Sequence, residues 1–169
     1  QKMKAKLSKV VPDFELREDA KLAAEINKLK AERNAVILGH NYMAPSLFYS
    51  VPDHVGDSLD LSRKAAEAEQ DIIVFCGVRF MAETAKILSP EATVIVPDNG
   101  SGCSLADSIT GEEVKKLKAL HPDAVVVCYI NSTAEVKAEC DVCVTSGNVY
   151  DIVANLPQKQ VLFVPDRLM

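Results

Sequence analysis

The sequence predicts an α/β fold in which parallel strands are covered by helices on both faces. Short continuous runs of Val, Ile and Leu, which are typical of strands buried on both sides, alternate with segments of helical periodicity. Hydrophobic residues make up 48% of the 169 residues and charged residues 25%, a composition that supports a substantial core. We therefore expect repeated α/β/α three-layer units built on parallel sheets.

The predicted elements alternate along almost the whole chain. A charged amphipathic helix over 15–34 precedes the first strand at 35–39, and an irregular loop with aromatic residues and prolines follows at 40–57. The other predicted helices cover 58–69, 79–89, 111–121, 132–139 and 149–156. The other predicted strands cover 71–76, 92–97, 124–129, 141–145 and 160–165.

An internal duplication is indicated by this alternation. The segment 71-DIIVFCG-77 with the strand end at 94–98 resembles 141-DVCVTSG-147 with 162–166, because each opens on Asp, has Gly six residues later and closes on Pro-Asp. The offset is 70 residues at the first pair and 68 at the second. Chance similarity between two parallel-strand units is the alternative to duplication.

The duplication suggests three parts: an N-terminal helical segment at 1–34, a first α/β/α unit at 35–110 and a second unit at 111–169. The second copy stops just after its last strand, where the first continues into a loop and a helix. We therefore expect the sequence to be part of a longer protein.

The composition argues against several classes of partner. A net charge of −5 and a pI near 5.2 disfavour binding to nucleic acid or to a membrane surface. Aromatic residues make up 5% and Trp is absent, so base-stacking platforms are not expected. No apolar run approaches the roughly 20 residues that span a bilayer, and the basic N-terminus at 1–13 lacks an apolar signal core. We predict a cytoplasmic protein.

Polar side chains cluster just after the predicted strands. Ligands of open parallel sheets bind beyond the carboxyl ends of the strands, so these positions form the candidate site. The set consists of His40, Asn41, Tyr42, Cys103, Tyr129, Asn131, Ser132, Thr145, Ser146 and Asn148. Such groups suit the binding of carboxylate, phosphate or carbonyl oxygen.

Each candidate also has a purely structural interpretation. The turn 146-SGN-148 is typical of helix capping, and Ser58 is an equally good cap for the helix at 58–69, where free N–H groups would also suit an anion. Tyr129 is suited to packing at a strand end. For His40, local context alone leaves a functional and a structural role equally open.

Four of the five cysteines favour a structural role, since a cytoplasmic location disfavours disulfides. Cys140 and Cys143 form a C-x-x-C pair, but Cys143 lies in a predicted buried strand and no second pair completes a zinc ribbon. Filling of the core is therefore favoured over a metal site or a thiol-redox site. Cys76 and Cys128 end apolar strands and are also expected to fill the core.

The fifth cysteine, Cys103, has a different context. Its loop, 98-DNGSGCSLAD-107, is rich in turn residues and opens at the carboxyl end of a strand. A lone cysteine holds no cluster, so a metal site there needs ligands from elsewhere. Phosphate-loop, dinucleotide-binding and nucleophile-elbow motifs are absent from the sequence.

Six ordered blocks contain most of the candidate residues. They are 40-HNY-42, 56-GDSLDLSRKAA-66, 74-VFCGVRFMAETAKIL-88, 103-CSLADS-108, 129-YINSTAEVKA-138 and 145-TSGN-148. In this order and over most of residues 36–166, they resemble the quinolinate synthase family of the NadA type. The loop 43-MAPSLFYSVPDHV-55 is less typical of that family.

The resemblance implies an enzyme of NAD (pyridine nucleotide) biosynthesis. Such enzymes perform a transferase-type condensation of iminosuccinate (iminoaspartate) with dihydroxyacetone phosphate, giving quinolinate, phosphate and water. It also implies three similar domains about a pseudo-threefold axis. An oxygen-sensitive 4Fe–4S cluster at their junction takes one cysteine from each domain and keeps one iron open as a Lewis acid. The implied partners are the two small-molecule substrates, with the L-aspartate-oxidising enzyme that supplies iminosuccinate as a candidate protein partner.

The same resemblance assigns roles to individual residues. It makes Cys103 the first cluster ligand. The residues that resemble substrate contacts are His40, Ser58, Tyr129, Ile130, Asn131 and Ser146. Those that resemble catalytic residues are His40, Tyr42 and Tyr129. Hydroxyl and amide donors suit carboxylates, and His and Tyr suit the proton transfers of triose enolisation and dehydration.

The chain stops at Met169, before the regions in which the family has its other two cluster cysteines. Cys140 and Cys143 do not match those positions. We expect this chain alone to hold no complete cluster and not to be fully active. The alternative interpretation is a non-catalytic fragment that binds carboxylate or phosphate ligands without the cluster.

Overall fold

The computed structural model describes residues 2–165, which fold into two compact units. The first unit comprises the described residues up to Gly77 together with Thr84–Asn99. The second comprises Val78–Glu83 and the described residues from Gly100 onward. No helix among the described residues is both long and apolar enough to cross a bilayer.

The first unit is a four-stranded parallel sheet with helices packed against it. In chain order its elements are α1 (Lys2–Leu7), α2 (Asp13–Glu32), β1 (Ala35–His40), α3 (Pro45–Phe48), β2 (His54–Gly56), α4 (Ser58–Ala66), β3 (Ile72–Cys76), α5 (Arg79–Leu88) and β4 (Thr93–Ile95). The strand order is β2-β1-β3-β4, and every neighbouring pair is parallel. The first residues of α5, up to Glu83, group with the second unit.

The second unit is a three-stranded parallel sheet. Its elements are α6 (Gly111–Leu120), β5 (Val125–Tyr129), α7 (Ala134–Glu139), β6 (Val142–Val144), α8 (Val149–Ala154) and β7 (Val161–Val164). The strand order is β6-β5-β7, again with parallel pairs. The predicted α/β class with parallel sheets is therefore confirmed.

Local chemistry accounts for the helix boundaries. The longest helix, α2, begins after Pro12, and the chain leaves it through Asn34, whose φ of 48° is left-handed and is tolerated by Asn. The N-terminus of α6 is closed by a capping box, in which the Thr110 side chain accepts from the Glu113 N–H and the Glu113 side chain accepts from the Thr110 N–H.

The core of each unit lies between its sheet and its helices. In the first unit, Ile37, Val51 and Cys76 are buried in one cluster, with residues of α2 and α3 packed against it. In the second unit, side chains along β5 alternate between the two faces of the sheet and so belong to two different clusters. Val126 and Cys128 face the cluster that includes α6 and α7, whereas Val125 and Val127 face the cluster that includes α8.

The sheet topology corrects the pairing of the internal repeat. The segment 71–76 forms β3, which lies between β1 and β4, whereas 141–145 contains β6, which pairs among the described strands only with β5. In each unit the central strand, β1 or β5, pairs with the next strand of the chain and with the one after it. The counterpart of β6 is therefore β2, and the pairing of 71–77 with 141–147 is wrong. The Pro-Asp end of the second predicted copy includes Asp166, which lies outside the described residues.

The same side-chain interaction occurs in both units and supports the corrected pairing. We call it the clasp: an Asp carboxylate that accepts hydrogen bonds from a Lys side chain and from a backbone N–H of the central strand. In the first unit the Asp53 carboxylate accepts from the Ile37 N–H at 2.9 Å and from Lys30 Nζ at 2.7 Å. In the second unit the Asp141 carboxylate accepts from the Val126 N–H at 2.9 Å and from Lys118 Nζ at 2.7 Å. The Lys and the Asp are 23 residues apart in both units.

The clasps also give the offset of the repeat. The second Lys and the second Asp each follow their first-unit counterparts by 88 residues. Each clasp ties a helix and the central strand to the residue just before the edge strand, β2 or β6. The two units therefore share the Lys–Asp interaction as well as the order of their strands.

Candidate functional site

In the first unit, two candidate residues follow neighbouring strands at one edge of the sheet. His40 is the last residue of β1, and its partner in the strand register is Gly56, the last residue of β2. Ser58 comes two residues after Gly56 and is the first residue of α4. Because the strands are parallel, His40 and Ser58 lie at the same carboxyl edge of the sheet.

The His40 ring is held by the turn that follows it. The Tyr42 N–H donates to His40 Nδ1 at 3.3 Å, and the two rings meet edge to face with centroids 4.2 Å apart. His40 is buried with 5% of its surface exposed, whereas Tyr42 is 84% exposed. Since Nδ1 accepts a hydrogen bond, the neutral ring has its proton on Nε2.

Burial keeps the His40 imidazole neutral. Loss of solvent lowers the pKa of His40 from the ordinary value of 6.5, and the nearby Asp57 carboxylate opposes that shift without reversing it. A neutral imidazole with Nε2–H donates one hydrogen bond without adding a positive charge. His40 can therefore bind a carbonyl or carboxylate oxygen and can exchange a proton with it.

Asp57, which the sequence interpretation missed, is the N-cap of α4. Its carboxylate accepts from the N–H groups of Leu59 and Asp60, both at 2.9 Å. The predicted capping role of Ser58 is therefore wrong. Ser58 is half-buried, and its carbonyl accepts from the Ser62 hydroxyl at 2.6 Å. The signal was present in Gly-Asp-Ser, since Asp immediately before an amphipathic segment is a strong N-cap.

The Asp57 cap also weighs against an anion at this helix start. Two of the N–H groups there already donate to a carboxylate, and a second anion would be repelled by it. The Ser58 hydroxyl, and not the helix backbone, is the group that this position offers to a ligand.

In the second unit, the candidate residues again follow neighbouring strands. Tyr129 ends β5 opposite Val144, the last residue of β6, and the Ile130 N–H donates to the Val144 carbonyl at 2.8 Å. Tyr129, Ile130 and Asn131 are half-buried. The turn is closed beneath them by the fully buried Ser132, whose hydroxyl donates to the Tyr129 carbonyl at 2.7 Å.

The turn after β6 presents Ser146 to solvent. Asn148 Oδ1 accepts from the Thr145 N–H at 2.7 Å and from the Thr145 hydroxyl at 3.1 Å, which closes the turn. Asn148 occupies the cap position of α8 but makes no side-chain cap bond to that helix. The 146-SGN-148 turn is therefore not closed by the helix-capping bond that its sequence suggested, and Ser146 is exposed at its tip.

The candidate residues of each unit occupy comparable positions at the strand ends of their own sheet. His40 and Tyr129 each end the central strand of a sheet, and Ser58 and Ser146 each follow the strand beside it. Ser146 follows Ser58 by 88 residues, the offset of the clasp Lys and Asp, and Tyr129 follows His40 by 89, as Val126 follows Ile37. The repeat thus places a ring side chain and a hydroxyl at the same carboxyl edge of both sheets.

Cys103 lies in the loop between β4 and α6. Its thiol is free and half-buried, and its carbonyl accepts from the Asp107 N–H at 2.9 Å. Within residues 2–165, no group of three or more His, Cys, Asp or Glu side chains is placed to hold a metal ion. The described donor set therefore fits one ligand of a cluster and not a complete cluster site.

The remaining cysteines depart partly from expectation. Cys76 and Cys128 are buried, as predicted for core residues. Cys140 is half-buried, and Cys143 is exposed although it lies in β6. The prediction that Cys143 is buried is wrong, because β6 pairs with β5 alone among the described strands and Cys143 lies at that edge of the sheet.

Known proteins with similar sequences identify the family of this chain. The family model described as NadA, quinolinate synthetase A protein, matches residues 24–169. A protein named quinolinate synthase from Mycobacterium sp. strain KMS is 58% identical over 148 residues, covering 87% of this chain and 44% of the relative. Its namesake from Mycolicibacterium paratuberculosis is 59% identical over 152 residues, covering 89% of this chain and 43% of the relative. The chain therefore spans less than half the length of these relatives, and by the extent of the family match it belongs to the NadA family of quinolinate synthetases.

Proposed function

We propose that the protein acts as a quinolinate synthase in NAD biosynthesis, condensing iminosuccinate with dihydroxyacetone phosphate to quinolinate, phosphate and water. Membership of the family supports this function, as does the name of the relatives. The observation that carries it is the repeated pair of strand-end groups, His40 with Ser58 in one unit and Tyr129 with Ser146 in the other.

Hydroxyl and amide donors bind the dicarboxylate substrate, iminosuccinate. Ser58, Asn131 and Ser146 offer such donors without a fixed charge, and Ile130 belongs to the same strand-end turn as Asn131. Neutral donors hold a carboxylate through hydrogen bonds and leave its charge in place. The same donors suit the carboxylates of the condensed intermediate.

The side chains that transfer protons are His40, Tyr42 and Tyr129. The neutral His40 ring donates through Nε2, and the edge-to-face contact with Tyr42 keeps the two rings adjacent. The exposed Tyr42 hydroxyl is free to follow a substrate as it enters. Enolisation of a triose and loss of water from the intermediate each need a group that gives and takes a proton, and these side chains are of that type.

A 4Fe–4S cluster, when bound, supplies an open iron that acts as a Lewis acid on a substrate hydroxyl. Cys103 would hold one iron of that cluster. Its free, half-buried thiol suits a ligand, and the other thiolates would have to come from outside residues 2–165.

A chimera tests the proposal directly. Residues 24–169 replace the matching segment of the mycobacterial relative, which supplies the rest of the polypeptide. We expect the chimera, purified anaerobically, to form quinolinate from the two substrates. Tyr42→Phe should lower kcat by about 100-fold. Tyr150→Phe is the matched control, because Tyr150 is also an exposed tyrosine, at 82%, and is not in the site.

The outcomes separate the two functional interpretations. Ser146→Ala and Asn131→Ala should raise KM for iminosuccinate more than they lower kcat, because they remove ground-state contacts. A folded, cluster-loaded chimera that forms no quinolinate would contradict the synthase proposal. If the same chain still bound a dicarboxylate in calorimetry, the non-catalytic binding interpretation would replace it.

A further inference from the structure

Three cysteines outside the proposed site lie together in the second unit. Cys128 is in β5 and Cys143 is its partner in the register of β6. Cys140 follows the last turn of α7 and packs against the buried cluster that contains Cys128. Cys128 is therefore next to Cys143 in the strand register and in the same cluster as Cys140. The C-x-x-C pair of the sequence is thus joined by a third cysteine from a neighbouring strand.

The backbone geometry allows these thiols to be linked. Registered residues of parallel strands point to the same face of the sheet, with neighbouring strands about 4.8 Å apart. Disulfides span Cα separations of roughly 4.4–6.8 Å, so the Cys128–Cys143 pair satisfies the requirement. Cys140 is anchored by its own hydrogen bond, in which Sγ donates to the Val136 carbonyl at 3.1 Å.

Access to solvent differs among the three thiols. Cys128 is fully buried, Cys140 is half-buried and Cys143 is exposed. A reagent can therefore reach Cys143, and part of Cys140, without local unfolding. Buried structural cysteines have no such path, and Cys76 in the first unit is of that kind.

Contact with Cys128 favours Cys140 as the reactive thiol, and its ionisation gives up the hydrogen bond from Sγ to the Val136 carbonyl. A hydrogen bond from Cys128 lowers the pKa of Cys140, and Lys118 adds to that effect. Donation to the Cys140 thiolate is also what raises the pKa of Cys128 to about 12. Contact with Cys128 raises the pKa of Cys143. The thiolate is the nucleophile in disulfide exchange, so Cys140 reacts first.

We propose that Cys128, Cys140 and Cys143 form a thiol–disulfide exchange site for small disulfides of the glutathione class. The Cys140 thiolate attacks one sulfur of the small disulfide, the S–S bond breaks, and one thiolate leaves. Cys128 then gives up its proton and attacks the Cys140 sulfur, which releases the second small thiolate. Two protein thiols are thereby oxidised to one disulfide, and one small disulfide is reduced to two thiols.

Cys143 gives the site an exchange partner at the surface. Its register with Cys128 lets it attack the Cys128 sulfur, which moves the disulfide to the Cys128–Cys143 pair and frees Cys140. A metal site is not the better interpretation, because no described group of three Cys, His, Asp or Glu side chains is arranged to hold an ion. The inference does not rest on the proposed synthase function.

Mass spectrometry of the full chain in glutathione redox buffers tests this site. After anaerobic incubation and alkylation in denaturant, we expect wild-type peptide maps to show Cys128 linked to Cys140 or to Cys143, with Cys76 alkylated. Cys128→Ser should stop at the mixed disulfide between glutathione and Cys140. Cys140→Ser should slow the reaction at least about tenfold, because the remaining thiols ionise poorly. Cys76→Ser is the matched control and should react like wild type.

Three results would overturn the proposal, and the first needs no variant. Wild-type protein could acquire no internal disulfide, or only a mixed disulfide on the exposed Cys143. The linked peptides could instead include Cys76 or Cys103. Finally, Cys128→Ser could still form a Cys140–Cys143 disulfide at the wild-type rate, which would remove Cys128 from its resolving role. Each readout is a mass and is independent of quinolinate formation.

Discussion

At the residue scale, His40 takes its properties from its position at the end of β1. The burial of the ring lowers its pKa, and the Tyr42 N–H occupies Nδ1 only while the ring is neutral. The sequence predicted a polar site at this strand end because carboxyl ends of parallel strands meet at one edge. It did not predict the neutral state, which depends on the burial of the ring and persists against the opposing effect of the Asp57 carboxylate.

The buried His40 should make the stability of the protein depend on pH. Its folded pKa lies below the unfolded value of 6.5, so the unfolded state binds the proton more readily. The free energy of unfolding should therefore fall as the pH drops from 6.5 to the folded pKa of His40, and this contribution should be level above 6.5. His40→Gln should remove that part of the pH dependence in urea denaturation series.

His121→Gln provides the comparison, since His121 is an exposed residue after α6. This variant should keep the wild-type slope of stability against pH. Parallel curves for wild type and His40→Gln between pH 7 and pH 5 would show that His40 is not the group responsible.

At the scale of elements, the long helices and central strands were predictable, whereas short elements such as α3 and β2 were not. The predicted segments 58–69, 71–76 and 111–121 coincide with α4, β3 and α6 within a few residues at each end. By contrast, α3 has four residues and β2 has three, so neither is long enough to show a period. Both fall inside the loop predicted as irregular, and β2 forms because β1 pairs with it.

The Asp57 cap of α4 is the element-scale feature most open to test. Asp57→Ala leaves the N–H groups of Leu59 and Asp60 without their carboxylate, which should cost about 1 kcal/mol in the free energy of unfolding. Chemical denaturation measures this loss. Asp57→Ser keeps an oxygen acceptor and should retain most of the stability.

The Asp57→Ala variant also tests whether the cap of α4 influences His40. Because the Asp57 carboxylate raises the pKa of His40, Asp57→Ala should lower that pKa further. An NMR titration of the His40 ring protons would detect the change. An unchanged His40 titration alongside the stability loss would show that the two roles of Asp57 are separate.

At the scale of the whole molecule, the repeat is visible in contacts more clearly than in sequence. The pattern of Asp, Gly and Pro-Asp led to an offset of 68–70 residues. Such residues are common at the ends of strands in any parallel-strand unit, so the match did not identify the true counterparts. The clasps Lys30–Asp53 and Lys118–Asp141 give 88 residues instead. Lys and Asp are common on surfaces, so only their shared bonds to the central strand distinguish these pairs from others.

If the clasps are equivalent, matched variants should have matched effects. Replacing Asp53 or Asp141 by Asn keeps an acceptor for the strand N–H and loses only the ion pair, which should cost at most about 1 kcal/mol. Replacement by Ala also leaves the N–H of Ile37 or Val126 without its acceptor and should cost about 1–3 kcal/mol more. Asp53→Asn should cost more than Asp141→Asn, because Lys30 is 17% exposed and Lys118 is 39% exposed.

Hydrogen exchange resolves these effects by unit. Asp53→Ala should accelerate exchange at the Ile37 amide, and Asp141→Ala should do so at the Val126 amide, each with a loss of global stability in denaturation. Glu18→Ala is the control, because its pair with Lys21 is about two-thirds exposed on one helix and touches no strand. If only one Ala variant accelerated exchange at its strand amide, the two clasps would not be equivalent. The 88-residue repeat would then describe the order of the strands and not the interactions that hold them.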